Sequence, residues 1–290
     1  MATRNLINIE HVSKSYGKGP VLDDVSLGVA ENERIGIVGR NGGGKSTLMR
    51  VIAGREPVEI GRVTRGNDVR LGMLAQIDDF AADATVRSVV LGNRAEHDWA
   101  GDAAIRDVLN GILGGHSNDV LDRTVAPMSG GERRRVALAR LLITELDVLL
   151  LDEPTNHLDV EAIAWLASHL KSRRNLAVIV VTHDRWFLDE ICDRMWEVVD
   201  GSVEEYEGGY SAYVLAKAER SRQASAEDAR RRNLLRKELA WLRRGAPART
   251  TKPKFRVDAA NQLIHGEPPP RNSIEAARAS ARSLATASRV

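Results

Sequence analysis

The chain has 290 residues, 43% hydrophobic and 28% charged, enough apolar material to bury a sizeable core. Its formal net charge of +2 selects no partner by itself. One cysteine, Cys192, excludes an intramolecular disulfide, and no window approaches the roughly 18 consecutive apolar residues of a membrane helix.

The N-terminus, MATRNLINIEHVSKSYG, lacks the apolar stretch of a signal peptide, so a cytoplasmic protein is expected. Residues 1–211 read as one compact α/β domain. NLINIEHV and VLDDVSLGVA predict strands, and RIGIVG predicts a short buried strand ending in glycine. KSTLMRVIAG predicts a helix closed by Gly54. Further on, 132–145 and 160–171 predict helices, while DVLLLDE (147–153) and LAVIVVTHD (176–184) predict strands. Apolar runs without alternation suit central, largely parallel strands covered on both faces. Cys192 lies beside apolar residues and reads as a small core residue.

Composition changes at residues 212–265. The stretch 217–256 holds fourteen Lys or Arg residues against four acidic ones, and Leu235, Leu239 and Leu242 recur at helical spacing. This predicts a long basic helix, broken by GAPARTTKPK, with FRVDAANQLI as a second helix returning beside it. Residues 266–290 open with Gly266 and Pro268–Pro270 and continue rich in Ala, Ser and Arg, so a mobile tail is expected.

GRNGGGKST (39–47) fits G-x-x-x-x-G-K-[ST] between an apolar strand and a helix, the setting a phosphate loop requires. Gly39, Gly42, Gly43 and Gly44 let the backbone turn its N–H groups toward phosphates. Lys45 is expected to reach the β- and γ-phosphates and Ser46 to ligate magnesium; Asn41 and Thr47 complete the nucleotide-binding loop. LLLDE (149–153) ends a strand in two carboxylates. Asp152 suits the magnesium shell, and Glu153 suits the orientation or deprotonation of an attacking water.

MSGGERRRVALARLL (128–142), DEPTNHLD (152–159) and VVTHDRWFLD (180–189) resemble the signature, joined Walker B and D-loop, and switch-histidine segments of the ATP-binding cassette (ABC) family. The resemblance covers residues 1–211 and implies a P-loop NTPase fold of the ABC type. That fold comprises a helical subdomain at about 77–140 and an antiparallel β portion, followed here by a basic helical hairpin. It implies ATP and Mg2+ as ligands. By the same resemblance, Tyr16 stacks on adenine, Gln76 touches magnesium and the attacking water, and His183 bonds the γ-phosphate and positions Glu153. Ser129, Gly130, Gly131 and Glu132 would receive the γ-phosphate of a partner's nucleotide, and Asp159 marks the D-loop. The signature departs from the family's pattern by opening on Met128 instead of leucine and closing on Glu132 instead of glutamine; Gly43 replaces a small non-glycine residue.

EPTNHLD followed by HDRWFLD is similar to the ABC-F branch, which lacks membrane spans and includes translation factors that act on ribosomes. EEYEGGYSAYVLAKAER (204–220) and ELAWLRRGAPARTTKPKF (238–255) resemble that branch's linker, and an excess of about ten positive charges in 217–256 suits RNA phosphates. Only 52 residues separate Gln76 from Ser129, leaving little room for an additional ribosome-reaching arm. The branch carries two cassettes and this chain one, so its phosphate loop is expected to need a signature from a second copy or a partner cassette. A transporter ATPase subunit, or a nucleotide-binding relic without turnover, are the alternatives.

Overall fold

The computed structural model describes residues 4–17, 19–74, 80–92 and 94–243. Gln76 and residues 244–290, including the expected helix break, second helix and tail, lie outside the described residues. Strands β1 (Asn5–Ser15), β2 (Pro20–Ala30) and β3 (Arg34–Gly39) lead into α1 (Lys45–Ile52). Strands β4 (Ile60–Arg65) and β5 (Leu71–Leu74) follow. Then come helices α2 (Val86–Val90), α3 (Glu96–Ala100), α4 (Ala103–Leu113), α5 (Asn118–Leu121) and α6 (Gly130–Ile143). Strand and helix then alternate through β6 (Val148–Asp152), α7 (Val160–Ser172), β7 (Ala177–Val181), α8 (Arg185–Ile191) and β8 (Arg194–Val199). Strand β9 (Ser202–Glu207) and helix α9 (Tyr210–Arg243) complete the described chain.

Two sheets form. One is antiparallel, in the order β2-β1-β4; the other runs β5-β6-β7-β3-β8-β9, parallel except for its β8–β9 edge pair. Strands β6 and β7 are buried at every residue, as VLLLD and AVIVV require. Full burial of each Val, Leu or Ile side chain contributes about 1.5–3 kcal/mol, which fixes both strands in the interior of the sheet. One apolar cluster lies between the two sheets around Ile35, Ile37 and Trp196; another joins the helices to the opposite face around Leu109, Leu138 and Phe187. Cys192 is part of this second cluster, and burial, with Asp193 nearby, pushes its thiol well above the usual range, so it is inert.

Helix α6 starts at Gly130, two residues before its expected start. Two glycines disguise that start, because their low helix propensity is outweighed by a capping box from Ser129 to Glu132. Strand β4 escapes a sequence reading because IGRVTR is mostly exposed and carries little apolar signal.

The chain divides into two units, with the boundary after Lys217. The first two turns of α9 belong to the first unit through Glu197 of β8, only 4% exposed. Its carboxylate accepts from the Tyr213 hydroxyl at 2.9 Å and from the Tyr206 hydroxyl at 3.3 Å, and it pairs with the Lys217 ammonium. A buried carboxylate needs such partners. Beyond Lys217, α9 keeps its basic side chains at Arg220, Arg222, Arg230, Arg232, Arg236 and Lys237 exposed. Among the described residues, no helix is long and apolar enough to cross a membrane.

Candidate functional site

Strands β3, β7 and β6 are neighbours, with Ile37 paired to Val181 and Val181 to Asp152. Their carboxyl ends therefore deliver the 39–47 loop, the Thr182–His183 segment and Glu153 side by side at one edge of the sheet. Crevices at the carboxyl ends of parallel strands are where such sheets bind ligands.

The loop ends on Gly44, the N-cap of α1, at φ 105° and without a side-chain cap. A side chain there would be strained, and its Cβ would sit 2.8 Å from the Val21 carbonyl oxygen. Uncapped N–H groups at the start of α1 are suited to an anion. The Lys45 ammonium donates to the carbonyls of Gly39 and Arg40, both at 3.0 Å. It stands between two cavities. One, about 310 Å³, is lined by Tyr16, Val21, Gly42, Gly44, Ser46, Thr47 and Arg50 as well as Lys45. The other, about 420 Å³, brings Gly39, Arg40, Thr182, His183 and Arg185 to the same lysine. Tyr16 is 46% exposed. Asn41 is exposed and lines neither cavity, and Gly43 also lies outside both.

Glu153 adopts φ 52°, a region that costs a side-chain-bearing residue about 1–3 kcal/mol. Its N–H donates to the Val181 carbonyl at 2.7 Å. Its carboxylate accepts from the His183 N–H at 3.4 Å and lies 3.4 Å from His183 Nε2. The Glu153 side chain is 17% exposed and that of His183 is 69% exposed. Arg134 of α6 clasps the carbonyls of Asp152 and Glu153, tying the signature helix to this strand end. The sequence hides Arg134 inside ERRR, which reads as a solvated basic face. Thr155 and Thr182 join the two loops through a hydroxyl pair at 2.8 Å.

Asp152 is 3% exposed. Among the described residues, no group of three or more His, Cys, Asp or Glu could hold a metal. The Asp152 carboxylate and the Ser46 hydroxyl are hard oxygen donors, and few in number. That set fits magnesium, which takes one or two protein oxygens and completes its shell with phosphates and water.

The signature residues stand apart from both cavities. Ser129 caps α6: its hydroxyl accepts from the Glu132 N–H at 3.3 Å. Its own N–H and hydroxyl donate to Glu132 Oε2 at 3.0 and 2.9 Å. The Ser129 N–H therefore already has a partner. Gly131 packs against His157 so closely that a Cβ would lie 2.9 Å from the histidine's own Cβ. Asp159 caps α7 by accepting from the Ala162 N–H at 2.8 Å. Arg123, which no motif marks, donates to Glu132 Oε1 at 2.8 Å. Arg123, followed by the Ser129 N–H and hydroxyl, holds the Glu132 carboxyl down at about 2. A lowered carboxyl stabilises the fold above its unfolded value of about 4.3 and loses that contribution as pH falls toward about 2. Glu132→Gln keeps the shape of the capping box and removes the charge, so its thermal midpoint lies below the parent's at pH 7 and the two converge between pH 4 and 2, where the parent alone has that contribution to lose. Circular dichroism melts across that range check this; equal acid slopes would refute it.

Two families described as ABC transporter match the chain, at residues 22–156 and 196–278. It is 38% identical to YfmR of Bacillus subtilis, an uncharacterized ABC transporter ATP-binding protein, over 89% of this chain and 46% of that one. It is 35% identical to the energy-dependent translational throttle protein EttA of Mycobacterium tuberculosis, over 89% and 52%. With EttA of Escherichia coli K12 it shares 34%, over 88% and 52%. The chain thus spans about half the length of the curated relatives it matches. Among solved structures, the ATP binding subunit of an ABC transporter aligns with TM-score 0.60 at 21% identity, covering 70% of this chain and 90% of that one. A bacterial Atm1-family ABC exporter with ATP bound aligns with TM-score 0.62 at 23%, covering 77% and 43%. At those identities the structural likeness concerns the fold alone.

Proposed function

This chain belongs to the ATP-binding cassette family, in its ABC-F branch, and from that premise we propose that it binds ATP with magnesium and hydrolyses it together with a second cassette. The observation that carries this reading is the convergence of Lys45, His183 and Glu153 at adjacent carboxyl strand ends. In it, the base stacks on Tyr16, and the N–H groups of residues 42–47 with Lys45 hold the phosphates. Ser46 and Asp152 hold magnesium, which neutralises phosphate charge. Glu153 takes a proton from, or orients, the attacking water, and His183 holds that carboxylate in place. Gln76 joins the metal and water by family resemblance. Asn41 and Thr47 shape the loop, and Asp159 fixes the D-loop by capping α7. Ser129, Gly130, Gly131 and Glu132 line neither cavity around Lys45, so in this reading the γ-phosphate receives its signature from another cassette. That cassette is a second copy or a partner chain.

We further propose that the reaction serves translation on the ribosome in the cytoplasm. Two relatives are named translational throttle proteins, and the exposed arginines of α9 suit RNA phosphates. The expected result is that a Glu153→Gln variant pellets with ribosomes in the presence of ATP at low salt and less so as salt rises. Pelleting that ignores ATP, or its absence at low salt, would overturn the ribosomal reading. Co-purification with membranes instead would favour a transporter subunit.

A further inference from the structure

The Tyr16 side of the nucleotide cavity is braced by charges that no motif announces. Lys14, two residues before Tyr16 on β1, is only 9% exposed. Its ammonium lies 3.1 Å from Glu56 Oε1 and 4.0 Å from Glu59 Oε1. The same ammonium stands over the Tyr16 ring, 5.4 Å from its centroid. Glu56, in the turn after α1, has its carboxyl held below the usual range by Lys14 first and then by Tyr16. Arg50 Nε lies 3.8 Å from Glu56 Oε2, and Arg50 Nη2 reaches Thr47 Oγ1 at 3.5 Å. Tyr16, Thr47 and Arg50 line one cavity. A chain of contacts therefore runs from the aromatic ring to the phosphate loop.

A cation so poorly exposed is offset by the carboxylate that faces it. The ammonium attracts the π face of the ring by the ring's quadrupole. One face of the ring is taken by Lys14, itself held by Glu56, so the ring's rotamer is selected before any ligand arrives. A ring ordered beforehand loses less entropy on stacking. We propose that Lys14 and Glu56 are positioning residues that fix Tyr16 as the platform for the nucleotide's base, so the affinity contributed by the base depends on a lysine that acts only through the ring. This rests on the reading of Tyr16 as the base-stacking residue.

The test is a double-mutant cycle on the full chain, with the dissociation constant for ATP and magnesium measured by calorimetry. Tyr16→Ala weakens binding by about tenfold, and Lys14→Met by about fivefold. In the Tyr16→Ala background, Lys14→Met has no further effect. Lys14→Arg, which keeps a cation opposite Glu56, restores most of the affinity. Glu56→Gln, an isosteric change in a turn, weakens binding in the same direction and guards against a folding defect in the strand variant. An equal loss from Lys14→Met with and without Tyr16 would overturn the proposal, because the lysine would then act elsewhere. So would full affinity in both Lys14→Met and Glu56→Gln, with Tyr16→Ala still weak. If Tyr16→Ala itself bound ATP normally, the platform reading would fall and the proposal with it.

Discussion

Glu153→Gln binds ATP as the parent does and releases phosphate more slowly by about a hundredfold to ten-thousandfold, the usual cost of removing a positioned acid–base group. The amide has the carboxylate's shape and keeps an oxygen able to accept the His183 N–H, which Glu153 Oε2 now accepts at 3.4 Å. It has no charge with which to draw a proton from water. Neither Lys45 nor the N–H groups of α1 change, so the phosphates lose no partner. The backbone at φ 52° is held from outside the side chain, by the Val181 carbonyl and by Arg134, so the substitution does not release it. Parallel measurement of ATP affinity and phosphate release checks the split. Normal turnover would show that another group activates the water; loss of binding would show that the residue shapes the cavity instead.

Lys45→Ala has the opposite profile: ATP affinity itself falls, by about tenfold to a hundredfold, as expected for the loss of a charged hydrogen-bond donor to phosphate. The ammonium is held at the junction of two cavities by the Gly39 and Arg40 carbonyls, each at 3.0 Å. Those bonds prepare it to move onto a phosphate rather than stabilise the loop, whose shape comes from Gly44 and the start of α1. The variant therefore melts close to the parent without nucleotide and loses most of the shift that ATP confers on the parent. An undiminished ATP-dependent shift would refute the assignment.

Much of this arrangement is legible in the residues, for reasons that differ from element to element. VLLL and AVIVV are unbroken apolar runs, with Asp152 only at the carboxyl end of the first, so their central place is readable. The phosphate loop is readable because its glycines answer a backbone need that few other sequences meet. Residue contacts made at a distance in sequence are not. Arg134 looks like one of three solvated arginines until the fold brings it to the Asp152 and Glu153 carbonyls. Lys14 alternates along a strand like any edge lysine until the turn after α1 supplies Glu56. Arg123 gains its role only once Glu132 closes a capping box. Family resemblance names Glu132 as part of the signature, but the physics of a carboxylate tied to Ser129 and Arg123 emerges only from geometry.

The place of β3 between β7 and β8 has a kinetic consequence. The strand carrying the phosphate loop is made early, at residues 34–39, yet its two hydrogen-bonding neighbours are residues 177–181 and 194–199. Pairing across such sequence separations is slow, because loop closure must precede the contacts that reward it. A chain emerging from its own synthesis can therefore form the β1–β2 hairpin at once, while β3 waits with both apolar edges unpaired until β7 appears and with one unpaired until β8 follows. Competence to hold a nucleotide arrives late and all together, so ATP protection of nascent chains would date the closing of the sheet.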